Sequence, residues 1–192
     1  QIHAEIIIEA LKDASKGPKL STPSRKFKPE ELEGEVNEEL EGWEATMFRA
    51  IAARANYLSQ DRSDIRYAVK ELCRSMSKPR KRDLEALTRL GKYLKGKERW
   101  IQKYDYQEST ARNSNKYVNV WTDTDYAGCL ITRKSTSGGV IMLNTHTIKT
   151  WSVAQDIIAL SSGEAEYYGM VRGGAQGIGI ITMLEDLGVQ RN

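Results

Sequence analysis

The residues of this chain best suited to chemistry are two acidic clusters, Thr122-Asp123-Thr124-Asp125 and Ser161-Ser162-Gly163-Glu164-Ala165-Glu166. Carboxylates that converge repel one another unless a cation lies between them, and a site built from hard oxygen ligands suits Mg²⁺ or Mn²⁺. Each cluster also has an ordinary structural use. Asp-x-Asp ahead of Gly128 is turn chemistry. Ser-x-x-Glu before a helix is a capping box, in which Ser161 covers a free N–H and Glu164 reaches back to do the same. That box uses one glutamate only. Glu166 lies two positions on, about 200° round the helix, where capping has no use for it, so it is the better candidate of the pair. Cys73, Cys129, His3 and His146 are the only cysteines and histidines, and no Cys-x-x-Cys pair occurs. This argues against a structural zinc site and against a disulfide scaffold, and fits a reducing compartment.

The elements that must carry these clusters follow from periodicity. Strict alternation of Val118, Val120 and Thr122 with Asn119, Trp121 and Asp123 predicts a half-buried strand leading into the turn Asp125-Tyr126-Ala127-Gly128. Further strands are expected over Ser137–Leu143 and Thr147–Ser152, with Asn144-Thr145 turning the chain and Ile148 and Trp151 on opposite faces. Connections this short forbid parallel neighbours, so the strands form an antiparallel meander. A long helix closes the chain from about Ser162 to Leu187. Its glycines each cost about 1 kcal/mol relative to alanine; Gly169, Gly173 and Gly177 step along one side, where a strand or a bulky substrate could approach the backbone. A break near Gly173-Gly174 is the alternative.

Ahead of the strands the period is helical. Met47, Phe48, Ile51, Ala52, Ala55 and Leu58 mark one helix ending near Ser59, and Ile65, Ala68, Val69, Leu72, Cys73 and Met76 a second, with Asp61 or Asp64 as its cap. Leu84, Leu87, Leu90 and Leu94 form the buried stripe of a third, stopped by Gly96. A short helix is expected within Ala4–Ala14, followed by a mobile linker that holds Gly17, Pro18, Pro23 and Pro29.

Charge is uneven. Glu30 to Glu44 carries eight glutamates and no basic residue, whereas Cys73 to Tyr106 carries eleven Lys or Arg against four Asp or Glu. A basic face of that density commonly meets nucleic acid, and a solvated helical face is the plainer reading. The candidate contacts are Arg80, Lys81, Arg82, Arg89, Lys92, Lys95 and Arg99. The longest near-continuous apolar run spans only Gly177 to Leu184, short of the roughly 20 residues a bilayer requires. Gln1–Ala10 lacks the order of a secretion signal. We therefore expect no membrane association, an intracellular setting that is cytoplasmic or nuclear rather than secreted, and a chain internal to something longer.

With these residues set out, a family resemblance emerges. Tyr57-Leu58-Ser59-Gln60-Asp61-Arg62, Ser77-Lys78-Pro79, Tyr93-Leu94-Lys95-Gly96, Trp121 through Gly128, Arg133 through Gly139 and Ala159 through Tyr167 resemble, in order, the end of the polyprotein of copia-type retrotransposons. The resemblance runs from about Met47 to Gly188. It implies three segments: a linker or reverse-transcriptase tail at 1–43, a helical connection region at 44–106, and the first part of a ribonuclease-H-like domain at 107–192. The implied fold is α/β, a three-stranded antiparallel meander plus a long helix, truncated, and preceded by a small basic helical unit. The implied reaction is hydrolysis of the RNA strand of an RNA–DNA hybrid with two Mg²⁺ or Mn²⁺ ions. Asp123 stands in place of the family's first-strand aspartate and Glu166 in place of its helix glutamate, with Asp125 and Glu164 as near alternatives. The implied partners are a hybrid or other nucleic acid and the rest of the Pol polyprotein.

Two departures qualify this. The family's site needs a further aspartate on a strand after the long helix, and this sequence ends at Asn192 where that strand should begin. The polymerase's paired aspartates are absent as well. The expectation is a chain with little nuclease activity by itself and no polymerase activity. A nucleic-acid-binding module without catalysis, or a decayed remnant of such an element, are the alternatives.

Overall fold

The computed structural model describes residues 2–106 and 117–189. The chain divides once, into Gln1–Ile101 and Gln102–Asn192, where composition and resemblance suggested boundaries after 43 and 106.

The first unit is helical. It contains α1 (Ile2–Ala10), α2 (Gly42–Leu58), α3 (Arg66–Arg74) and α4 (Lys81–Gly96). Phe48, Ile51 and Ala52 of α2 meet Leu87, Leu90 and Leu94 of α4 in a core that also takes Ala4 and Ile7 of α1 and Leu11 just beyond it. Ala4, Ile7, Leu11 and Leu40 thus tie the segment ahead of α2 into this core. The acidic stretch forms two 3₁₀ turns, Pro29–Leu32 and Glu35–Asn37, and is tied to the start of α4: Leu40 N–H donates to Pro79 O at 2.8 Å and Lys81 N–H to Glu38 O at 3.0 Å.

Asp64 has a different use from the cap that its position suggests. A 3₁₀ turn, Ser63–Ile65, precedes α3, and the Asp64 carboxylate accepts from Arg62 Nε at 2.9 Å, Arg62 Nη2 at 2.8 Å and Tyr93 Oη at 2.7 Å. Arg62 is itself buried and donates to Lys97 O. Burial pushes the Asp64 carboxyl up, but the hydrogen bonds from Arg62 and Tyr93 outweigh it and hold the group below its ordinary value. Burial, reinforced by the bond to Asp64, pushes the Tyr93 phenol up to about 12.

The second unit is mixed. Strands β1 (Val118–Asp125), β2 (Thr136–Leu143) and β3 (His146–Ala154) form an antiparallel sheet in that order, followed by α5 (Ser162–Asp186). Asn144 turns the β2–β3 hairpin at a φ of 54°, a conformation asparagine tolerates. The fold is α/β in the mixed sense expected, and no helix among the described residues is long and apolar enough to cross a membrane.

α5 runs without a break through Gly173-Gly174. Ala165, Gly169, Gly173 and Gly177 are its buried stripe. A Cβ at Gly169 would lie 2.6 Å from Thr124 Oγ1, one at Gly177 2.8 Å from Val120 Cγ2, and one at Gly173 would collide with Thr122 Cγ2. The glycines therefore let β1 approach the helix backbone, which offsets their cost in propensity. Trp151, paired with Gly139, is buried on this same face, its ring filling the space a Gly139 side chain would need. Trp121 and Ile148 lie on the other face and stay exposed. Ile148 and Trp151 thus lie on opposite faces, as the alternation predicts.

Two predictions follow from this packing. Gly173→Ala destabilises the sheet unit by about 1–3 kcal/mol through overpacking, despite the helix propensity it gains. Gly174→Ala, with nothing within 4 Å, stabilises it by up to about 1 kcal/mol; urea unfolding of the two variants separates the effects. In the helical unit, the stability that Asp64 contributes is present above its unfolded-state value, near pH 4, and is lost as pH falls through its lower folded value. Asp64→Asn costs about 3 kcal/mol at neutral pH and flattens that acid dependence, as read by urea midpoints at a series of pH values.

Candidate functional site

The two acidic clusters lie at the carboxyl end of β1 and the amino end of α5, and local structure separates their four carboxylates by use. Asp125 belongs to the turn. Gly128 N–H donates to Asp125 O at 3.4 Å, and the Asp125 carboxyl group occupies the space a side chain at Gly128 would need. Within this turn Ala127 adopts a φ of 49°, a left-handed conformation costing roughly 1–2 kcal/mol for a residue with a Cβ. Its N–H is held by Ser135 Oγ at 3.0 Å.

Glu164 belongs to the helix cap. Ser161 Oγ accepts from Glu164 N–H at 3.1 Å, as a capping residue should. The Glu164 carboxylate reaches back to Leu160 N–H at 2.7 Å, one residue before the cap itself. It also accepts from Tyr168 Oη at 3.1 Å, and that bond raises the Tyr168 phenol above its ordinary value.

Asp123 and Glu166 remain. Neither is engaged in a hydrogen bond or ion pair among the described residues. Thr124, beside Asp123, donates through Oγ1 to the carbonyl of Ala165, beside Glu166, at 3.4 Å. The two residues therefore flank one contact. Strand alternation puts Asp123 on the exposed face of the sheet, opposite the face that α5 covers. Helical rotation of about 100° per residue puts Glu166, half-buried, on the flank of α5 shared by Gly173 and Gly177. Those glycines touch Thr122 and Val120 of β1, whereas Ala165 and Gln176 on the other flank touch Gln155 and Lys149. β1 is an edge strand among the described residues, so a cation could reach both carboxylates only round its free edge and not between sheet and helix.

The donor chemistry fits a hard divalent ion in part. Two carboxylates supply up to four oxygens, enough to anchor one octahedral ion completed by water and phosphate. No cluster of three or more Asp, Glu, His or Cys suited to a metal occurs among the described residues.

The basic helix is less free than its sequence suggests. Arg80 donates to Asn37 O at 3.0 Å, Lys81 pairs with Glu38 at 2.5 Å, and Arg89 donates to Thr22 Oγ1 at 2.6 Å. Arg82, expected on the outer side, is buried, with its guanidinium 5.8 Å from the Phe27 ring centroid. Lys92 and Lys95 are half-buried and Arg99 exposed, and none of the three is engaged by an ion pair among the described residues.

Against known proteins, no family model and no solved structure matches the chain. Curated relatives do. An uncharacterized mitochondrial protein of Arabidopsis thaliana is 34% identical over 120 residues, covering 62% of this chain and 48% of that protein. The retrovirus-related Pol polyprotein from transposon RE1 of the same plant is 30% identical over 145 residues, covering 76% of this chain and 10% of the polyprotein. The chain belongs to the copia-type retrotransposon Pol polyprotein family. It spans about half of the first of these relatives and a tenth of the second. It is also similar to secreted RxLR effector protein 161 of Plasmopara viticola, 34% identical over 118 residues and 79% of that protein.

Sequence reasoning missed the polar residues beneath the site in this Pol-family chain. Thr124, Ser135, Ser137 and Gln155 hold the two acidic arms through buried and half-buried hydrogen bonds. The inward phase of Thr124 was readable from alternation. Gln155 follows β3 in a stretch with no periodicity, and no sequence signal marks it.

Proposed function

We propose that the second unit is the opening part of a ribonuclease-H-like domain, and that the complete domain hydrolyses the RNA strand of an RNA–DNA hybrid. Asp123 and Glu166 are the metal-holding carboxylates in this reading. The observation that carries it is the division of labour among the four acidic side chains: turn and cap engage Asp125 and Glu164, and the two left without a partner flank the Thr124–Ala165 contact. The chemistry supplied by a pair of bound Mg²⁺ or Mn²⁺ ions is activation of water and stabilisation of the leaving 3′ oxygen. Asp123 and Glu166 contribute fixed anionic oxygens at the edge of β1, and the exposure of Asp123 leaves room there for a phosphate. A third carboxylate from the rest of the polyprotein completes the pair of ions. Lys92, Lys95 and Arg99 bind the hybrid's phosphates without reading its sequence, and the setting is the cell interior.

In a hybrid-cleavage assay with Mg²⁺, the 192-residue chain cleaves little. The chain joined to the segment that follows it in the Pol polyproteins cleaves, and Asp123→Asn or Glu166→Gln lowers that rate by about a hundredfold or more, since metal stabilisation of the transition state is worth several kcal/mol. Robust turnover by the short chain, or indifference of the longer one to both substitutions, overturns the proposal.

A non-enzymatic nucleic-acid-binding module is the second reading, favoured by the two-carboxylate donor set. Both readings predict hybrid binding that weakens with salt. Replacing Lys92, Lys95 and Arg99 together by glutamate lowers the affinity and reduces the log–log salt slope by about three, as measured by fluorescence anisotropy. Arg82→Gln leaves that slope unchanged.

A further inference from the structure

The interface between α5 and the sheet changes character along its length. Toward the carboxyl end of the helix it is apolar, with Val120 against Gly173 and Gly177. Beneath the first turn it is polar and buried. Gln155, 8% exposed, donates through Nε2 to Ser137 Oγ and to the Ala165 carbonyl, both at 2.9 Å. The Ala165 carbonyl also receives Thr124 Oγ1 at 3.4 Å. The Gln155 main-chain N–H donates to Ser135 O at 2.8 Å, and Ser135 Oγ holds the Ala127 N–H of the turn that follows β1. One residue is thus bonded to both arms of the site: to α5 one residue before Glu166, and, through Ser135, to Ala127, four residues past Asp123.

Burying a carboxamide is costly unless its hydrogen bonds are made, and here one remains unmade, because Gln155 Oε1 has no partner among the described residues. An apolar side chain in this place would cover Ala165 without that cost. What it could not do is fix the helix at one position along the strand, since apolar contacts slide and directional bonds to a single carbonyl do not. We propose that Gln155 is a positioning residue that sets Glu166 relative to Asp123 for divalent-cation binding. The inference rests on the reading of Asp123 and Glu166 as metal carboxylates.

The test uses the full chain and Mn²⁺ alone, with free Mn²⁺ followed by electron paramagnetic resonance during titration and folding followed by urea unfolding. The wild-type chain binds Mn²⁺, and Asp123→Asn or Glu166→Gln abolishes the binding. Gln155→Met, close in volume but without a donor, weakens Mn²⁺ binding by about tenfold, the range found when groups that orient metal ligands are removed. Thr124→Val, which takes away the second donor to the Ala165 carbonyl, gives a smaller loss of the same sign and serves if Gln155→Met does not fold. Val120→Ala loosens the apolar part of the same interface and leaves Mn²⁺ affinity near wild type. Wild-type affinity in both Gln155→Met and Thr124→Val, or an equal loss in Val120→Ala, overturns the positioning role while the metal site stands. Absence of Asp123- and Glu166-dependent binding in the wild-type chain overturns both.

Discussion

The close approach of α5 to β1 is the constraint on which the second unit depends. Three glycines spaced a helical turn apart bring the helix backbone directly against the short side chains of Val120, Thr122 and Thr124. At this range a single hydroxyl can reach a helix carbonyl, as Thr124 does. The arrangement is intolerant by the same token. A methyl group added at Gly173 has nowhere to go, and close-packed interiors transmit such strain into the strand.

In the helical unit, charge is handled internally. The acidic run and the basic start of α4, which look from composition like a tether and a docking face, are partly partners of one another. Glu38 pairs with Lys81, and the carbonyls of Asn37 and Glu31 accept from Arg80 and Arg82. The guanidinium groups of Arg25 and Arg82 are each 5.8 Å from the Phe27 ring centroid. Exposed ion pairs such as Glu38–Lys81 contribute little individually, but here they accompany main-chain bonds and the burial of Leu40. Of the seven basic residues read as a docking face, Lys92, Lys95 and Arg99, toward the end of α4 and beyond it, are left without an ion pair among the described residues.

Legibility from sequence followed the strength of each physical signal. The three later helices, the three strands and α5 were readable because apolar periodicity is dictated locally. The glycine stripe could be read as a surface of close approach, though whether a strand or a substrate approached it could not. The use of Glu164 as a cap was legible from spacing, while its reach to Leu160 and not to Ser161 was not. Asp64 illustrates the opposite case. A local rule makes it a helix cap, but Tyr93, 29 positions away, and a buried arginine compete for the carboxylate and win, and nothing local announces them. Residues 1–43 misled for a related reason: proline, glycine and uniform charge describe an irregular path without saying whether that path is packed.

Among the chain's tryptophans the sheet unit holds two, and their surroundings differ sharply. Trp121 is 64% exposed, whereas the Trp151 indole lies over Gly139, its Nε1 without a partner among the described residues and 8% of the residue exposed. Trp43 and Trp100 in the helical unit are also open to solvent. An indole shielded from water emits at shorter wavelength than a hydrated one, so Trp151 is an optical gauge built into the molecule. With the other three replaced by phenylalanine, its fluorescence colour and quenching report whether α5 is seated on the strands, independently of anything that happens in the helical half.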